Sequence, residues 1–128
     1  MKHILKKFKI YKNKICEYSH WIILLREEQV TIGSLVLIEK SFKKKLSDIS
    51  IESYKQLQFI VKNIEQTLKK IFKYEKINYL ILMMVDKEVH IHVIPRYKKK
   101  KVFNNTSFYD LGWPKIPNFS KTNKINTL

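Results

Sequence analysis

A chain of 128 residues is long enough for one globular domain and short for two. Its hydrophobic fraction of 45%, with only 2 glycines and 3 prolines, excludes a disordered or low-complexity protein. The formal net charge of +15 creates a positive field that attracts phosphate-bearing partners. Only Arg26 and Arg96 among the 26 basic residues are arginines. Because proteins that read nucleic-acid bases favour arginine, a solvated lysine-rich surface explains the charge better than nucleic-acid recognition.

Features of export or membrane insertion are not evident in the sequence. Cys16 is the single cysteine, so no internal disulfide can form. Residues 1–10 alternate lysines with apolar residues, unlike the continuous apolar stretch of a targeting segment. No apolar run approaches the length of a membrane span. These features predict a cytoplasmic protein with no membrane partner.

Two β-rich runs follow an N-terminal stretch of about sixteen residues, where the pattern is least regular. Residues 20–25 and 30–38 are predicted to form strands joined by a polar connection. Gly33 lies within the second run, where it indicates a bulge or a close backbone approach.

A long helix of about 22 residues is predicted next. Ser47, Asp48 and Ser50 supply side-chain oxygens that can accept hydrogen bonds from the free N–H groups of a helix start. Apolar residues then recur at steps of three and four, which places them along one face of a helix. These residues are Ile51, Tyr54, Leu57, Val61, Ile64, Leu68, Ile71 and Phe72.

A strand pair and a C-terminal arm complete the predicted fold. The apolar run 77–85 favours a central strand covered on both faces. A tight turn at Asp86 and Lys87 leads into an alternating strand over 88–96, so the two strands form a hairpin. From about Phe103 we expect an irregular arm that packs by its aromatic residues. The order of elements predicts one α+β domain over residues 1–128, with one long helix on a mostly antiparallel sheet.

Residues 88–96 are the segment that points to chemistry, and they read Glu-Val-His-Ile-His-Val-Ile-Pro-Arg. Side chains alternate between the two faces of a strand, so Glu88, His90 and His92 share one face. The apolar residues between them share the opposite face, which is expected to rest on the helix. Packing needs alone do not explain two of the chain's 4 histidines at this spacing.

Such a row of side chains suits two kinds of chemistry. In phosphoryl or nucleotidyl transfer, one imidazole attacks phosphorus and its neighbours hold the phosphate oxygens. In metal binding, glutamate and histidine act as ligands for zinc or iron. Along one straight strand the three side chains stand roughly 7 Å apart, so one ion would need strand curvature or ligands from elsewhere. Transfer chemistry is therefore favoured, and a metal site at Glu88, His90 and His92 is the alternative.

The same segment resembles the motif of the histidine triad (HIT) family, His-x-His-x-His followed by two apolar residues, especially in the form ending in Ile-Pro-Arg. Glu88 stands at the first histidine position, His90 at the middle one and His92 at the third. The chain from Tyr18 onward is similar to bacterial HIT proteins of the diadenosine tetraphosphate hydrolase type. The stretches that carry this likeness are residues 21–25, 31–37, 77–80 and 112–114.

The resemblance implies a half-barrel α+β fold, usually dimeric, that binds a purine nucleotide. It implies that His90 attacks the α-phosphorus and forms a nucleotidyl-histidine intermediate, which is hydrolysed or passed to an acceptor. His92 would orient the phosphate and assist the leaving group, and Glu88 would tune this pair. The substrates implied are nucleoside phosphoramidates and dinucleoside polyphosphates. No metal or organic cofactor is required, although a divalent ion could accompany a polyphosphate.

Three further residues are candidates for substrate binding. Arg96 could reach a phosphate or, equally, form an ion pair with the tail. Asn78 lies at the base of the predicted hairpin, where a structural role competes with ligand binding. Trp113 is a packing anchor by its size, but the family resemblance allows the arm to reach a substrate site.

The chain departs from the family pattern at three places. Glu88 replaces the first histidine, as in the bacterial subgroup. Met83, Met84 and Val85 stand where many members carry polar donors for phosphate, and Phe42 stands near the place of a further histidine. Losing one donor of this kind can lower a rate by about 10²–10³. A catalytically weak nucleotide- or nucleic-acid-binding protein is therefore the second hypothesis, with nucleotide favoured over nucleic acid.

Overall fold

The structure is a computed structural model that describes residues 1–124. Its helices are α1 (His3–Lys7), α2 (Ile10–Asn13) and α3 (Ile51–Phe72). Its strands are β1 (Lys14–Glu17), β2 (Trp21–Leu25), β3 (Glu28–Gln29), β4 (Leu35–Glu39), β5 (Lys76–Leu80), β6 (His90–Arg96), β7 (Lys101–Phe103), β8 (Thr106–Phe108) and β9 (Asn123–Lys124). No helix within residues 1–124 is long and apolar enough to cross a membrane.

Five strands form one open antiparallel sheet in the order β1-β2-β4-β6-β5. The strand β6 pairs with β4 on one side and with β5 on the other, so it lies inside the sheet. Helix α3 packs across one face of the sheet. The predicted class, a mostly antiparallel sheet with one long helix on it, is confirmed, and the sheet does not close into a barrel.

Helix α3 spans the 22 residues that the apolar spacing predicts. It begins after Ser50, whose hydroxyl oxygen accepts a hydrogen bond from the backbone N–H of Ser53 at 3.1 Å. The buried face is rotated from the predicted one, because Ile60 is fully buried whereas Ile51 and Ile71 are exposed. Apolar spacing marked a helix here but did not say which part of its broad apolar surface would meet the sheet.

The opposite face of the sheet, which we call the histidine face, is covered by the N-terminal segment. Ile4 of α1 is buried there against Ile22 and Leu24 of β2 and Val36 and Ile38 of β4. The least regular part of the sequence thus forms a second hydrophobic layer. Both faces of the central strands are consequently shielded from water, and side chains on the histidine face are buried as well.

The apolar run 77–85 does not form the central strand that we predicted. Strand β5 ends at Leu80, lies at the edge of the sheet and has half-buried side chains. The chain then leaves the sheet in a loop over residues 81–89, with Met83 at a positive φ of 48°. The tight turn expected at Asp86 is therefore replaced by this longer loop, although β5 and β6 do pair as a hairpin. Continuous apolarity did not reveal that Met84 and Val85 would stay exposed.

Two details near the second predicted strand depend on tertiary contacts. The strand begins at Leu35, later than predicted, because residues 30–34 turn before pairing starts. Gly33 has a φ of +91°, and a Cβ added to it would lie 3.1 Å from the ring of Phe72. The groups close to this glycine are side chains, those of Phe72 and Pro95, rather than another stretch of backbone.

The C-terminal arm contains more regular structure than expected. Strands β7 and β8 form a small hairpin whose turn residues, Asn104 and Asn105, both have positive φ values of 50° and 61°. Asparagine tolerates this conformation better than other residues with a side chain, so this pair favours a tight hairpin turn. Strand β9 pairs with β3 and brings the end of the arm back toward β2.

Candidate functional site

The site centres on two histidines that β6 places on the histidine face. His90 and His92 alternate with Val89, Ile91 and Val93, which belong to the core beneath α3. His90 is 2% exposed and His92 is 7% exposed. Their ring centroids are 5.0 Å apart, with the planes inclined at 80°. The alternation predicted from the sequence therefore brings both imidazoles to one buried place.

A backbone contact orients His90. Its Nδ1 lies 2.7 Å from the backbone carbonyl oxygen of Glu88. Since a carbonyl oxygen only accepts hydrogen bonds, Nδ1 must carry the proton, and the neutral ring then has its lone pair on Nε2. The Glu88 carboxylate itself makes no hydrogen bond or ion pair within residues 1–124. Glu88 precedes β6 in the loop, so it acts on His90 through its backbone in this structure.

His92 is a neutral imidazole at ordinary pH. Burial, with the nearby positive groups of the site and His90, lowers its pKa to about 4, and Asp86 only partly opposes this effect. Its Nδ1 is buried and has no hydrogen-bond partner among the described residues. A buried ring nitrogen without a partner is a group that a ligand can satisfy.

The lowered pKa of His92 predicts a dependence of stability on pH. Between the ordinary pKa of 6.5 and the folded-state value of about 4, the unfolded chain binds a proton at His92 that the folded chain does not. The free energy of unfolding should therefore fall as pH decreases through this range, by about 3 kcal/mol from this residue. Urea unfolding of the wild type and His92→Gln at pH 7 and pH 4 tests this. An equal loss of stability in both proteins would contradict the assignment.

Two elements distant in sequence cover the histidine pair. Phe8, which follows α1, has its ring centroid 6.2 Å from that of His90 and 6.3 Å from that of His92. The adjacent Lys7 donates to the Asp86 carboxylate at 2.6 Å, which ties the N-terminal segment to the 81–89 loop. The aromatic cover excludes water and explains why the imidazoles are buried despite their position on a sheet surface.

The C-terminal arm supplies the second covering group. The ring centroid of Phe119 lies 5.6 Å from that of His92. On the same ring, the guanidinium carbon of Arg26 lies 5.2 Å from the centroid. Arg26 follows the end of β2 and is half-buried. The site is thus built from four parts of the chain besides β6: the N-terminal segment, the segment after β2, the 81–89 loop and the C-terminal arm.

The candidate substrate-binding residues Arg96, Asn78 and Trp113 lie elsewhere. Arg96 donates from Nε and Nη2 to the two carboxylate oxygens of Asp110, at 2.7 and 3.0 Å, and from Nη1 to the Asn78 side-chain oxygen at 2.7 Å. Both charged side chains are almost completely buried. Trp113 lines a neighbouring pocket of about 550 Å³ with Asn78 and Arg96. Four residues along a strand separate Arg96 from His92 by roughly 13 Å.

Sequence reasoning missed Phe8, Arg26, Asp86 and Phe119 as parts of the site. Each stands in a segment without a local signature for nucleotide chemistry. Only Arg26 carried a usable signal, because arginine is rare in this chain and lies directly after a predicted strand. The other contacts join segments far apart in sequence, such as residues 7 and 86.

The residues at which the chain departs from the family pattern bring no hydrogen-bond donor to the site. The side chains of Met83, Met84 and Val85 cannot donate hydrogen bonds, and Met84 and Val85 are strongly exposed. Phe42 packs beside the N-terminal layer. Among residues 1–124, no group of three or more histidine, cysteine, aspartate or glutamate side chains is arranged to hold a metal ion.

Comparison with known proteins agrees with this architecture. The HIT domain family model matches residues 7–99. A histidine triad protein from Bradyrhizobium japonicum is 18% identical over 98% of this chain and 85% of its own, with a TM-score of 0.73. One from Sinorhizobium meliloti is 20% identical over 98% of this chain and 84% of its own, also with a TM-score of 0.73.

A HIT family protein from Bacillus anthracis is 25% identical over 74% of this chain and 71% of its own, with a TM-score of 0.64. Among curated proteins, none is detectably similar in sequence. The family match extends from the N-terminal cover of the site through β6, and includes both histidines. The chain belongs to the HIT domain family.

Proposed function

We propose that this protein is a nucleotide hydrolase or nucleotidyltransferase in which His90 is the nucleophile. The observation that carries the proposal is the hydrogen bond between His90 Nδ1 and the Glu88 carbonyl oxygen. It fixes the tautomer that leaves the Nε2 lone pair available for attack. It also depends on the backbone of residue 88, so glutamate can stand at this position without losing the orientation of His90.

The proposed reaction has two displacements at the α-phosphorus of a nucleoside phosphoramidate or dinucleoside polyphosphate. His90 Nε2 forms a bond to phosphorus as the bond to the leaving group breaks, and the leaving group departs with the electron pair. Water or another acceptor then attacks phosphorus, loses a proton and releases His90. The products of hydrolysis are a nucleoside monophosphate and the protonated or anionic leaving group.

His92 supports this reaction as a neutral hydrogen-bonding group. With its pKa lowered to about 4, the resting ring carries one N–H and no charge. It can donate that N–H to a phosphate oxygen, and an anion bound beside it would raise its proton affinity and aid transfer to the leaving group. Its buried, unpartnered Nδ1 supports a role in contacting substrate.

The test is incubation with diadenosine tetraphosphate and, separately, adenosine 5′-phosphoramidate in ¹⁸O-labelled water. Attack at the α-phosphorus should release AMP from both substrates, with ATP as the second product of the tetraphosphate. The label should appear in AMP and not in ATP, because water attacks the nucleotidyl-histidine. Label in ATP would contradict attack at the α-phosphorus.

The second candidate function is nucleotide binding with little or no turnover. The burial of both histidines and the apolar 83–85 segment favour it. Nucleotide binding without product formation would support this candidate. Nucleic-acid binding is a less favoured variant, and its affinity should fall steeply between 50 and 200 mM salt.

We also propose that the protein forms a homodimer, as the family resemblance implies. Helix α3 presents exposed apolar side chains, Phe59 and Ile71 among them, next to an apolar groove between the helix and the sheet. Exposed apolar surface of this kind is typical of protein interfaces. Light scattering after size exclusion should give twice the mass of the chain.

The cytoplasmic location stays a prediction.

A further inference from the structure

Arg26 is held in place but forms no ion pair with a residue that the structure describes. Burial lowers the pKa of its guanidinium, and the nearby Glu28 carboxylate only partly opposes this effect. Its backbone N–H donates to the carbonyl of Ser34 at 3.0 Å, and its own carbonyl accepts from the Gln29 side chain at 2.5 Å. Its Nη1 donates to the Glu28 carbonyl oxygen at 2.5 Å. The Nε is buried without a hydrogen-bond partner, and no carboxylate within the described part of the chain pairs with the guanidinium.

The other arginine of the chain provides an internal comparison. Arg96 also uses Nη1 for a neutral oxygen, that of Asn78, while its Nε and Nη2 hold the two carboxylate oxygens of Asp110. In Arg26 the Nη1 is likewise occupied by a neutral oxygen. The edge of the guanidinium formed by Nε and Nη2, which we call the Nε edge, contacts no hydrogen-bond acceptor among residues 1–124. This edge has the geometry that binds carboxylate or phosphate through two parallel hydrogen bonds.

The acidic groups nearest to Arg26 are engaged with other partners. The Glu27 carboxylate pairs with Lys9 and Lys12, and the Glu28 carboxylate accepts from the Thr122 hydroxyl at 3.1 Å. Asp86 pairs with Lys7. A half-buried guanidinium without a counter-ion is unfavourable unless an anion binds to it.

Arg26 is also close to His92 of the histidine pair. Its guanidinium stacks on Phe119, and the same ring contacts His92. Its positive charge contributes to lowering the pKa of His92. A cleft of about 260 Å³ lies beside it, lined by Lys7, Phe8, Lys9, Arg26, Glu27 and Glu28. Phe8 lines this cleft and contacts both histidine rings, so the cleft adjoins the pair.

We propose that Arg26 binds a phosphate group of the substrate through its Nε edge and replaces the donors that residues 83–85 do not provide. This inference rests on the proposed function and names the residue that would hold the anion next to His90. The ligand class is a nucleoside phosphate, because the cleft offers a cation for phosphate beside the aromatic ring of Phe8.

The experiment measures binding by calorimetry in the non-hydrolysing His90→Asn background. AMP and adenosine are the probes, since they differ only in the phosphate. Arg26→Met should weaken AMP binding by about 10–100-fold and leave adenosine binding within about 2-fold. Arg26→Lys, which keeps the charge but not the fork, should fall between. Lys12→Met, which removes an exposed charge nearby, is the matched control and should change AMP binding by less than about 3-fold.

Thermal unfolding separates this role from a structural one. Removing a cation that lacks a counter-ion should leave the Tm of Arg26→Met unchanged or raise it. A lower Tm with unchanged AMP affinity would overturn the proposal, as would equal weakening by Arg26→Met and Lys12→Met. If Arg26→Met leaves the AMP affinity unchanged and the wild type shows His90-dependent turnover, the Arg26 proposal is overturned and the proposed function stands. Selective loss of AMP binding without turnover in the wild type would support the phosphate site and contradict the hydrolase.

Discussion

Replacing His90 by alanine or asparagine is expected to lower turnover of diadenosine tetraphosphate by at least about 10³-fold. Both variants remove the group that we assign to covalent attack. His92 keeps its own role as a hydrogen-bonding group in both variants, and its ring plane is inclined at 80° to that of His90. Initial rates of AMP release, followed by chromatography, provide the measurement.

The control for this prediction is His20→Asn, which changes a histidine outside the site. His20 precedes β2, and its backbone N–H is bonded to the Gln56 side chain at 2.7 Å. This variant should keep the wild-type rate within about 2-fold.

The covalent intermediate provides a second measurement. Because phosphoramidate bonds are labile in acid, the adenylyl adduct should be sought by mass spectrometry after an alkaline quench. An adduct or more than a tenth of the activity in His90→Asn would contradict His90 as nucleophile.

Replacing Asp110 by alanine is expected to lower the free energy of unfolding by about 3–5 kcal/mol. The change leaves the guanidinium of Arg96 buried without its two-point partner, at the junction of β6 and the C-terminal arm. The Asp110 carboxylate also accepts from the backbone N–H of Tyr97 at 3.0 Å, so this bond is lost too. Urea unfolding at pH 7, followed by circular dichroism, measures the effect.

Two further variants show whether the loss comes from an uncompensated charge. The double change Arg96→Met with Asp110→Leu should be more stable than Asp110→Ala, because it removes both charges and keeps the volume filled. Glu17→Gln, which breaks the exposed pair with Lys40, should cost far less stability than Asp110→Ala. A similar small cost for Asp110→Ala would mean that Arg96 is not held by this pair and would favour its predicted role in binding substrate.

Local sequence pattern determined much of this fold. The spacing of apolar residues over 51–72 predicted α3 with its correct ends, because helical periodicity repeats within six turns and needs no distant information. Alternation along 90–96 placed His90 and His92 on one face for the same reason, since neighbouring side chains of a strand must point in opposite directions. The order of elements was enough for the α+β class.

Tertiary structure alone decided where β5 lies and what surrounds the histidines. An apolar run is compatible with a central or an edge strand, and the pairing order placed β5 at the edge and released residues 81–89 as a loop. Phe8, Arg26 and Phe119 meet the histidine pair through contacts between distant parts of the chain. Such contacts have no local periodicity, because they depend on how the N-terminal layer and the arm pack on the finished sheet. The sequence by itself therefore determined the two imidazoles of the site, and only the folded chain determined their cover and the unpaired cation beside them.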